Sequence, residues 1–358
     1  TYLVAGALPG ESVEVKVLSE RRGTVEAVVS SVLEPSPLRK DPVCPYYGIC
    51  GGCDFQIVSP SDSASLKEEI VKDDFLRIGG MKELPSFDPP VYGEFEGYRS
   101  RARVHVNLKT KEQGFLASSS NRLVTVDHCP ALDGKLDALL GEKGGDLFRR
   151  ARSLMFENRV NRDTGFVEVP LFSGDKAVSD SQKSVQITVG DTLYNVSASV
   201  FFQSNPRLLP ELFRFVKENV VGDNIMDLYS GVGTFSALFT GSGKTLYAVE
   251  REKLCLELSR KNAPDAISFT DDVAKWAKNS GRKADTVIVD PPRVGLEKSV
   301  IEMIQNWNPE RIIYVSCNPV TAARDLSLFS CYRIEKARVF DFYPGSSHIE
   351  TGLVLSRR

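Results

Sequence analysis

From Asn205 to the C terminus, short β-prone runs alternate with stretches of helical pattern, and that alternation leaves few folds open. The runs are Ile225 to Tyr229, Thr245 to Glu250, Ile267 to Thr270, Thr286 to Asp290, Ile312 to Ser316, Ala337 to Phe342 and Thr351 to Ser356. Helices fit between the first six, which predicts a doubly wound, mostly parallel sheet. Only a loop through Pro344, Gly345 and Glu350 separates the last two, which predicts an antiparallel pair at or near one edge.

Within this pattern, Arg311 to Ser316 reads as a buried strand, because Ile312, Ile313, Tyr314 and Val315 form a nearly unbroken β-prone run. Cys317 follows, then Asn318 and Pro319. Pro319 suits the first turn of a helix, which is expected over Val320 to Phe329. A cysteine is therefore presented at the end of a strand, where open α/β sheets collect ligands and catalytic groups. A thiol there can act as a nucleophile. The plainer alternative is a small buried apolar residue.

A chain of 358 residues is expected to hold two or three domains. We place them at 1–40, 41–204 and 205–358. Composition is that of a globular protein, 42% hydrophobic and 26% charged, and no apolar run is long enough to span a membrane. No signal peptide opens the chain, and the first residue, Thr1, implies that the natural start has been lost. The net charge of -2 argues against a generally basic nucleic-acid-coating protein but leaves room for a local basic groove. Seven cysteines, an odd number with three in one loop, fit a reducing cytosol and a metal site better than a disulfide framework.

Residues Glu11 to Leu18 and Gly23 to Leu33 alternate as strands do, with Arg21, Arg22 and Gly23 turning between them. They are expected to form part of a small OB-like barrel, a class that often binds RNA; a spacer without a ligand is the alternative. Next comes C-x5-C-x2-C on Cys44, Cys50 and Cys53, with Gly51 and Gly52 allowing a tight backbone. Cys129, in D-H-C-P, is the best fourth ligand, and His128 reads as a polar neighbour. Zinc and an iron–sulfur cluster both suit four thiolates; a single C-x2-C knuckle favours the cluster. Ser65 to Ile78 has a helical pattern. Along Tyr98 to Leu108, Arg99, Arg101, Arg103 and His105 alternate with Ser100, Ala102, Val104 and Val106, giving a strand with one basic face. That face can meet phosphates or simply be solvated. Phe166 to Leu171 and Ser184 to Val189 suggest further strands, and 141–183 is otherwise unassigned.

The first strand of the C-terminal part runs into Asp227-Leu-Tyr-Ser-Gly231-Val-Gly233, which does not complete the dinucleotide motif G-x-G-x-x-G. Gly231 and Gly233 let the backbone approach a ligand. Glu250 ends the second strand, where a carboxylate can take both ribose hydroxyls or merely start a helix. Asp271 and Asp272 follow the third strand, placed for an adenine amino group. The ordered set fits S-adenosylmethionine. Asp290 ends the fourth strand, and Glu350 starts the antiparallel last one, so both join Cys317 at one sheet edge. A thiol beside a methyl donor suits C5 of a pyrimidine: thiolate addition at C6 makes C5 nucleophilic, and a base must later remove the C5 proton. Cys317 and Glu350 match those roles. Methylation of an amino group needs no thiol, and Arg293 stands in D-P-P-R where such enzymes carry an aromatic residue.

With these residues in view, the chain resembles the RNA uracil-5-methyltransferase family, in its iron–sulfur branch. The matching segments are C-P-Y-Y-G-I-C-G-G-C, G-Y-R-S-R-A-R, V-D-H-C-P, F-F-Q-S-N-P, D-L-Y-S-G-V-G-T-F, V-D-P-P-R-V-G-L, Y-V-S-C-N-P and F-Y-P-G-S-S-H-I-E. The resemblance implies a [4Fe-4S] cluster on Cys44, Cys50, Cys53 and Cys129. It implies a donor pocket with Gln203, Tyr229, Glu250, Asp290 and Asp272 (Asp271 being the alternative match), Cys317 as nucleophile and Glu350 as base. The implied fold is a Rossmann-like methyltransferase domain with a mostly parallel, seven-stranded sheet, an α+β central domain and a partial N-terminal TRAM barrel. The expected substrate is ribosomal RNA, with transfer RNA as the alternative, and the expected state is a cytoplasmic monomer. A non-catalytic, redox-sensing RNA-binding protein is the reading from another class. Two features depart from the family: Thr234 replaces a frequent Asn, and 141–183 is short.

Overall fold

The structure, a computed structural model, describes residues 1–142, 145–156, 165–178, 184–279 and 283–358. The unassigned stretch 141–183 lies partly outside them. The chain opens with β1 (Tyr2–Ala5), β2 (Ser12–Arg21) and β3 (Thr24–Glu34), a three-stranded sheet in the order β1-β3-β2. Arg22 and Gly23, both at positive φ, turn β2 into β3 as a two-residue hairpin requires. The cysteine loop follows, then α1 (Pro60–Arg77). Ser59 caps α1 by accepting from the Asp62 N–H, and Pro60 occupies the first turn, so the helix starts five residues before the apolar periodicity that marks it in the sequence.

After β4 (Ser86–Val91) come β5 (Arg101–Asn107), β6 (Glu112–Leu116), β7 (Leu123–Thr125), α2 (Gly134–Gly141), α3 (Asp146–Phe156), β8 (Val167–Ser173) and β9 (Ala177–Val178). Strands β5 to β9 form one sheet in the order β7-β6-β5-β8-β9. Ala102, Val104 and Val106 on β5 are buried against Leu136, Leu147 and Leu154 of the two helices. The alternate residues Arg101, Arg103 and His105 lie on the other face, as the alternation predicts.

A hairpin of β10 (Ser184–Val189) and β11 (Thr192–Ser197) leads to α4 (Leu209–Asn219). Then β12 (Asn224–Leu228), β13 (Thr245–Glu250), α5 (Lys253–Asn262), β14 (Ile267–Thr270), α6 (Val273–Asn279), β15 (Thr286–Val289), α7 (Lys298–Trp307), β16 (Arg311–Ser316), α8 (Pro319–Leu328), β17 (Tyr332–Phe340) and β18 (Glu350–Arg357) complete the chain. The sheet order is β14-β13-β12-β15-β16-β18-β17-β4. Strands β12 to β16 pair in parallel, and β18 inserts antiparallel between β16 and β17. Side chains alternate between two buried layers. Ile225, Ile288, Ile313 and Val354 face α4 and the β10–β11 hairpin. Met226, Val287, Ile312, Tyr314 and Leu353 face a layer that includes α1, α7 and α8. Burial on both faces explains the nearly unbroken apolar runs.

The expected seven-stranded sheet has eight strands. The eighth, β4, comes from the 41–204 segment and pairs in parallel with β17. Its sequence, S-F-D-P-P-V, hides it: two prolines cannot donate to a ladder, a deficit tolerated on an edge strand.

Candidate active site

The ladder register brings the singled-out residues to one edge. Leu228 pairs with both Val249 and Val289, Glu250 pairs with Thr270, and Val289 pairs with Tyr314. The ends of five parallel strands thus gather at one edge: Glu250 ends β13, and Tyr229, Asp271, Asp290 and Cys317 follow β12, β14, β15 and β16, with β16 running two residues further than its neighbour β15. Ser316 pairs antiparallel with Thr351, which sets Cys317 and Glu350 next to each other at the same edge. One cleft with a volume of about 1100 Å³ runs along it. That volume exceeds an ordinary small-ligand pocket and suits a nucleotide-sized donor together with a target base. Gln203, Tyr229, Gly231, Glu250, Asp272, Asp290, Cys317 and Glu350 all line it; Gly233 does not.

The donor end is built from turns. Tyr229 adopts a left-handed conformation, φ 62°, directly after β12, a strained state for a bulky residue that is common at binding sites. Glu250 ties the first two strand ends together: Gly231 N–H donates to its Oε2 at 3.0 Å and Glu252 N–H to its Oε1 at 2.8 Å. Gly231 has open space where a side chain would start. Gly233, at φ 78°, packs instead: an added Cβ would stand 2.7 Å from Ser259 Oγ. The β10–β11 hairpin braces this loop. Tyr194 Oη donates to Thr234 O at 2.8 Å, and Asn262 Nδ2 donates to Val232 O at 2.9 Å while Asn262 Oδ1 accepts from Asn195 N–H. Asp272 Oδ1 accepts from the N–H groups of Ala274 and Lys275 at the start of α6, while Asp271 Oδ1 accepts from Asp272 N–H; both aspartates line the cleft.

The reactive end is acidic and enclosed. Glu350 is buried, its Oε1 has no hydrogen-bond partner among the described residues, and burial followed by the charge of Asp290 holds its carboxyl well above the usual range. Asp290 is pushed up to about 7 by burial and then by Asp227. Asp227 is itself raised to about 7 by burial, although Ser236 donates to its Oδ2 from both N–H and hydroxyl. Burial, then Glu350 and Asp290, push the Cys317 thiol up to about 11; Arg293 acts in the opposite sense. A carboxyl held above its usual range by enclosure is a stronger proton acceptor than an exposed one.

Several cleft residues escaped the sequence reading. Arg293 donates to His348 Nδ1 at 2.9 Å and favours the charged forms of both Cys317 and Glu350. Its sequence signals were the D-P-P-R motif, read there for what it lacked, and the matching segment V-D-P-P-R-V-G-L, in which it was given no role. Burial and neighbouring cations hold His348 below its ordinary value, which suits it to accept from Arg293. Tyr343 Oη donates to Gln203 Oε1 at 3.4 Å. Of the basic strand, Arg99 and Arg101 line the cleft and Arg103 does not. Arg101 lies over the Phe201 ring at 5.7 Å, its Nε has no partner among the described residues, and burial lowers it to about 10. Arg103 lies 3.9 Å from Glu168.

Cys44, Cys50, Cys53 and Cys129 line one smaller pocket with Arg99 and His128. None of the seven cysteines is paired in a disulfide. Burial raises Cys50 and Cys129, and Cys53 to about 11. His128 turns to Asp137, whose Oδ2 lies 2.6 Å from its Nδ1, and so stands as a polar neighbour. Among the described residues, no three His, Cys, Asp or Glu side chains are gathered tightly enough to hold a metal ion.

Residues 278–358 match the family model described as tRNA (Uracil-5-)-methyltransferase. The chain is 30% identical to the 23S rRNA (uracil(1939)-C(5))-methyltransferase RlmD of Pseudomonas savastanoi pv. phaseolicola, over 98% of this chain and 88% of that one. It is 28% identical to an uncharacterized RNA methyltransferase of Halalkalibacterium halodurans, over 98% and 90%. Its fold is similar to that of the Pyrococcus abyssi tRNA (uracil-54, C5)-methyltransferase crystallised with S-adenosyl-L-homocysteine, with a TM-score of 0.73, 24% identity and coverage of 99% and 94%.

Proposed function

Because this chain belongs to the RNA uracil-5-methyltransferase family, we propose that it converts a uridine of ribosomal RNA to 5-methyluridine through Cys317, with S-adenosylmethionine as methyl donor. The carrying observation is the pairing of Ser316 with Thr351, which sets Cys317 beside Glu350 in the cleft that the strand ends line. The donor fits there. Glu250 keeps lone pairs for two ribose hydroxyls after accepting two backbone N–H groups, and Gly231 leaves room for close approach. The target base is flipped from its stack to reach the thiol.

In this reading the Cys317 thiol gives its proton to solvent, helped by the Arg293 charge, and its sulfur bonds to C6 of the uracil. The C5–C6 π pair moves toward O4 as an enolate. C5 then takes the methyl group, and the donor's C–S bonding pair stays on its sulfur. Glu350 removes the C5 proton, the C5–C6 double bond re-forms, and the thiolate leaves. Arg99, Arg101 and the β1–β3 sheet, read as part of a TRAM-type barrel, serve the RNA. A ribosomal target follows the relative named for 23S rRNA.

Cys44, Cys50, Cys53 and Cys129 would hold a [4Fe-4S] cluster. The four thiols line one pocket, and four cysteine thiolates are the ligand set such a cluster takes. Bound there, it would cross-link the 44–53 loop to residue 129; methyl transfer itself moves no net electron.

The test is nucleoside mass spectrometry after incubation with the donor and, separately, unmodified ribosomal RNA and transfer RNA. 5-Methyluridine in the ribosomal pool only, abolished by Cys317→Ala, is expected. Product in transfer RNA alone would move the substrate, and full turnover by Cys317→Ala would overturn the covalent route. Iron and sulfide analysis of anaerobically purified protein tests the cluster.

A further inference from the structure

The residue after the third loop cysteine, Asp54, reaches the loop that leads into β18. Ser347 donates to it twice, N–H to Oδ1 and hydroxyl to Oδ2, each at 2.6 Å. The N–H groups of Asp54 and Phe55 both donate to Gly345 O, at 3.1 and 2.9 Å. Gly345 sits at φ 81° with the Phe95 ring 2.6 Å from where a Cβ would stand, so the loop is moulded to this contact.

The sheet fixes this loop only at its ends, where Phe340 pairs with Glu350. Between them lie Tyr343, Ser346, His348 and Ile349, all lining the cleft beside Glu350. Tyr343 reaches Gln203, and its ring meets His348 edge-on at 5.4 Å. Near the start, buried Asp341 accepts from Lys67 at 2.7 Å and Ser63 at 2.9 Å. The middle of the loop is held from the cysteine segment by the Asp54 carboxylate on Ser347 and by the Asp54 and Phe55 N–H groups on Gly345 O, and on its far side by Arg293 on His348. Bonds from an N–H and a hydroxyl to an ionised acceptor are the strong kind.

We propose that Asp54 is a positioning residue for removal of the C5 proton: through Ser347 it holds the 343–349 loop as a closed wall around Glu350. Asp54 acts without touching RNA or donor. When the clamp opens, water reaches Glu350, and the step that suffers is removal of the C5 proton. Thiol addition at C6 and transfer of the methyl group do not use that base.

This inference rests on the uridine reading above, and one experiment separates the two. Full-length wild type, Asp54→Ala, Asp54→Asn and Cys317→Ala are assayed on ordinary RNA and on RNA carrying 5-fluorouridine. With fluorine at C5, methyl transfer leaves no proton to remove, so the Cys317–C6 bond persists as a covalent complex whatever the state of Glu350. Asp54→Ala is expected to lower kcat about tenfold at saturating substrates while the donor KM changes less than about twofold. It still forms the fluorouridine complex in wild-type amount. Asp54→Asn restores turnover, because its Oδ1 accepts the Ser347 N–H and its Nδ2 donates to the Ser347 hydroxyl. Because water lowers the pKa of an exposed carboxyl, the acidic limb of the kcat profile, along which Glu350 loses its proton, moves to lower pH in Asp54→Ala. Wild-type turnover by Asp54→Ala overturns the proposal, and so does parallel loss of turnover and complex together with a lower melting temperature. Wild type that forms neither complex nor 5-methyluridine overturns the functional reading, and this inference falls with it.

Discussion

Asp290 raises the carboxyl of Glu350 inside the cleft, and Asp227 behind it raises Asp290 in turn. Three acids from β12, β15 and β18 thus stand in series at one sheet edge. Replacing Asp290 with Asn removes a like charge from beside Glu350, so the Glu350 pKa falls. The limb of the kcat–pH profile that reports Glu350 ionisation is expected to move to lower pH in Asp290→Asn, read at saturating donor and RNA. An unmoved limb would mean that Asp290 does not act on the base.

Asp227 adds a linkage effect on stability. Its folded value of about 7 lies above the unfolded 3.8, so the folded state binds the extra proton. That contribution is complete below about pH 4 and is lost as pH rises through about 7. The shift corresponds to an upper bound on the order of 4 kcal/mol. Asp227→Asn keeps an acceptor for the Ser236 N–H and hydroxyl and has no charge to bury. Relative to wild type it is expected to be more stable at pH 8 than at pH 5, measured by denaturant unfolding of the donor-free protein.

The two glycines of the donor loop separate by geometry. Gly233→Ala meets Ser259 Oγ at 2.7 Å and keeps an unfavourable φ of 78°, and is expected to lose about 2 kcal/mol and weaken donor binding. Gly231→Ala has open space and only the φ penalty, about 1 kcal/mol. Equal effects in calorimetry and donor titration would contradict this assignment.

Lys67 and Asp341 form a buried ion pair, 1% and 0% exposed. Lys67→Met leaves the carboxylate of Asp341 uncompensated and is expected to cost roughly 3–5 kcal/mol. Lys67→Met with Asp341→Leu is expected to recover much of that in chemical denaturation, because both desolvation penalties vanish.

Much of the C-terminal sheet was legible because each central strand is buried on both faces and reads as an apolar run, as in Ile312 to Val315. Cys317, Glu250 and Glu350 were legible because they stand at strand ends, where topology alone puts them together. The β4 strand was not legible, since Pro89 and Pro90 erase its pattern. Nor was the clamp of Asp54 on Ser347, since 293 residues separate the partners and neither carries a periodic signal.

What the residues alone determined is local: which runs form strands, which turns need glycine, and which chemistry a thiol and a carboxylate offer. The tertiary structure decided the environment. Burial and the neighbouring acids set Glu350 above its usual value, Arg99 and Arg101 turn to the cleft while Arg103 does not, and Gly233 serves packing against Ser259. Desolvation, like-charge repulsion and steric closeness depend on distances between residues remote in sequence, and only the folded chain fixes those distances.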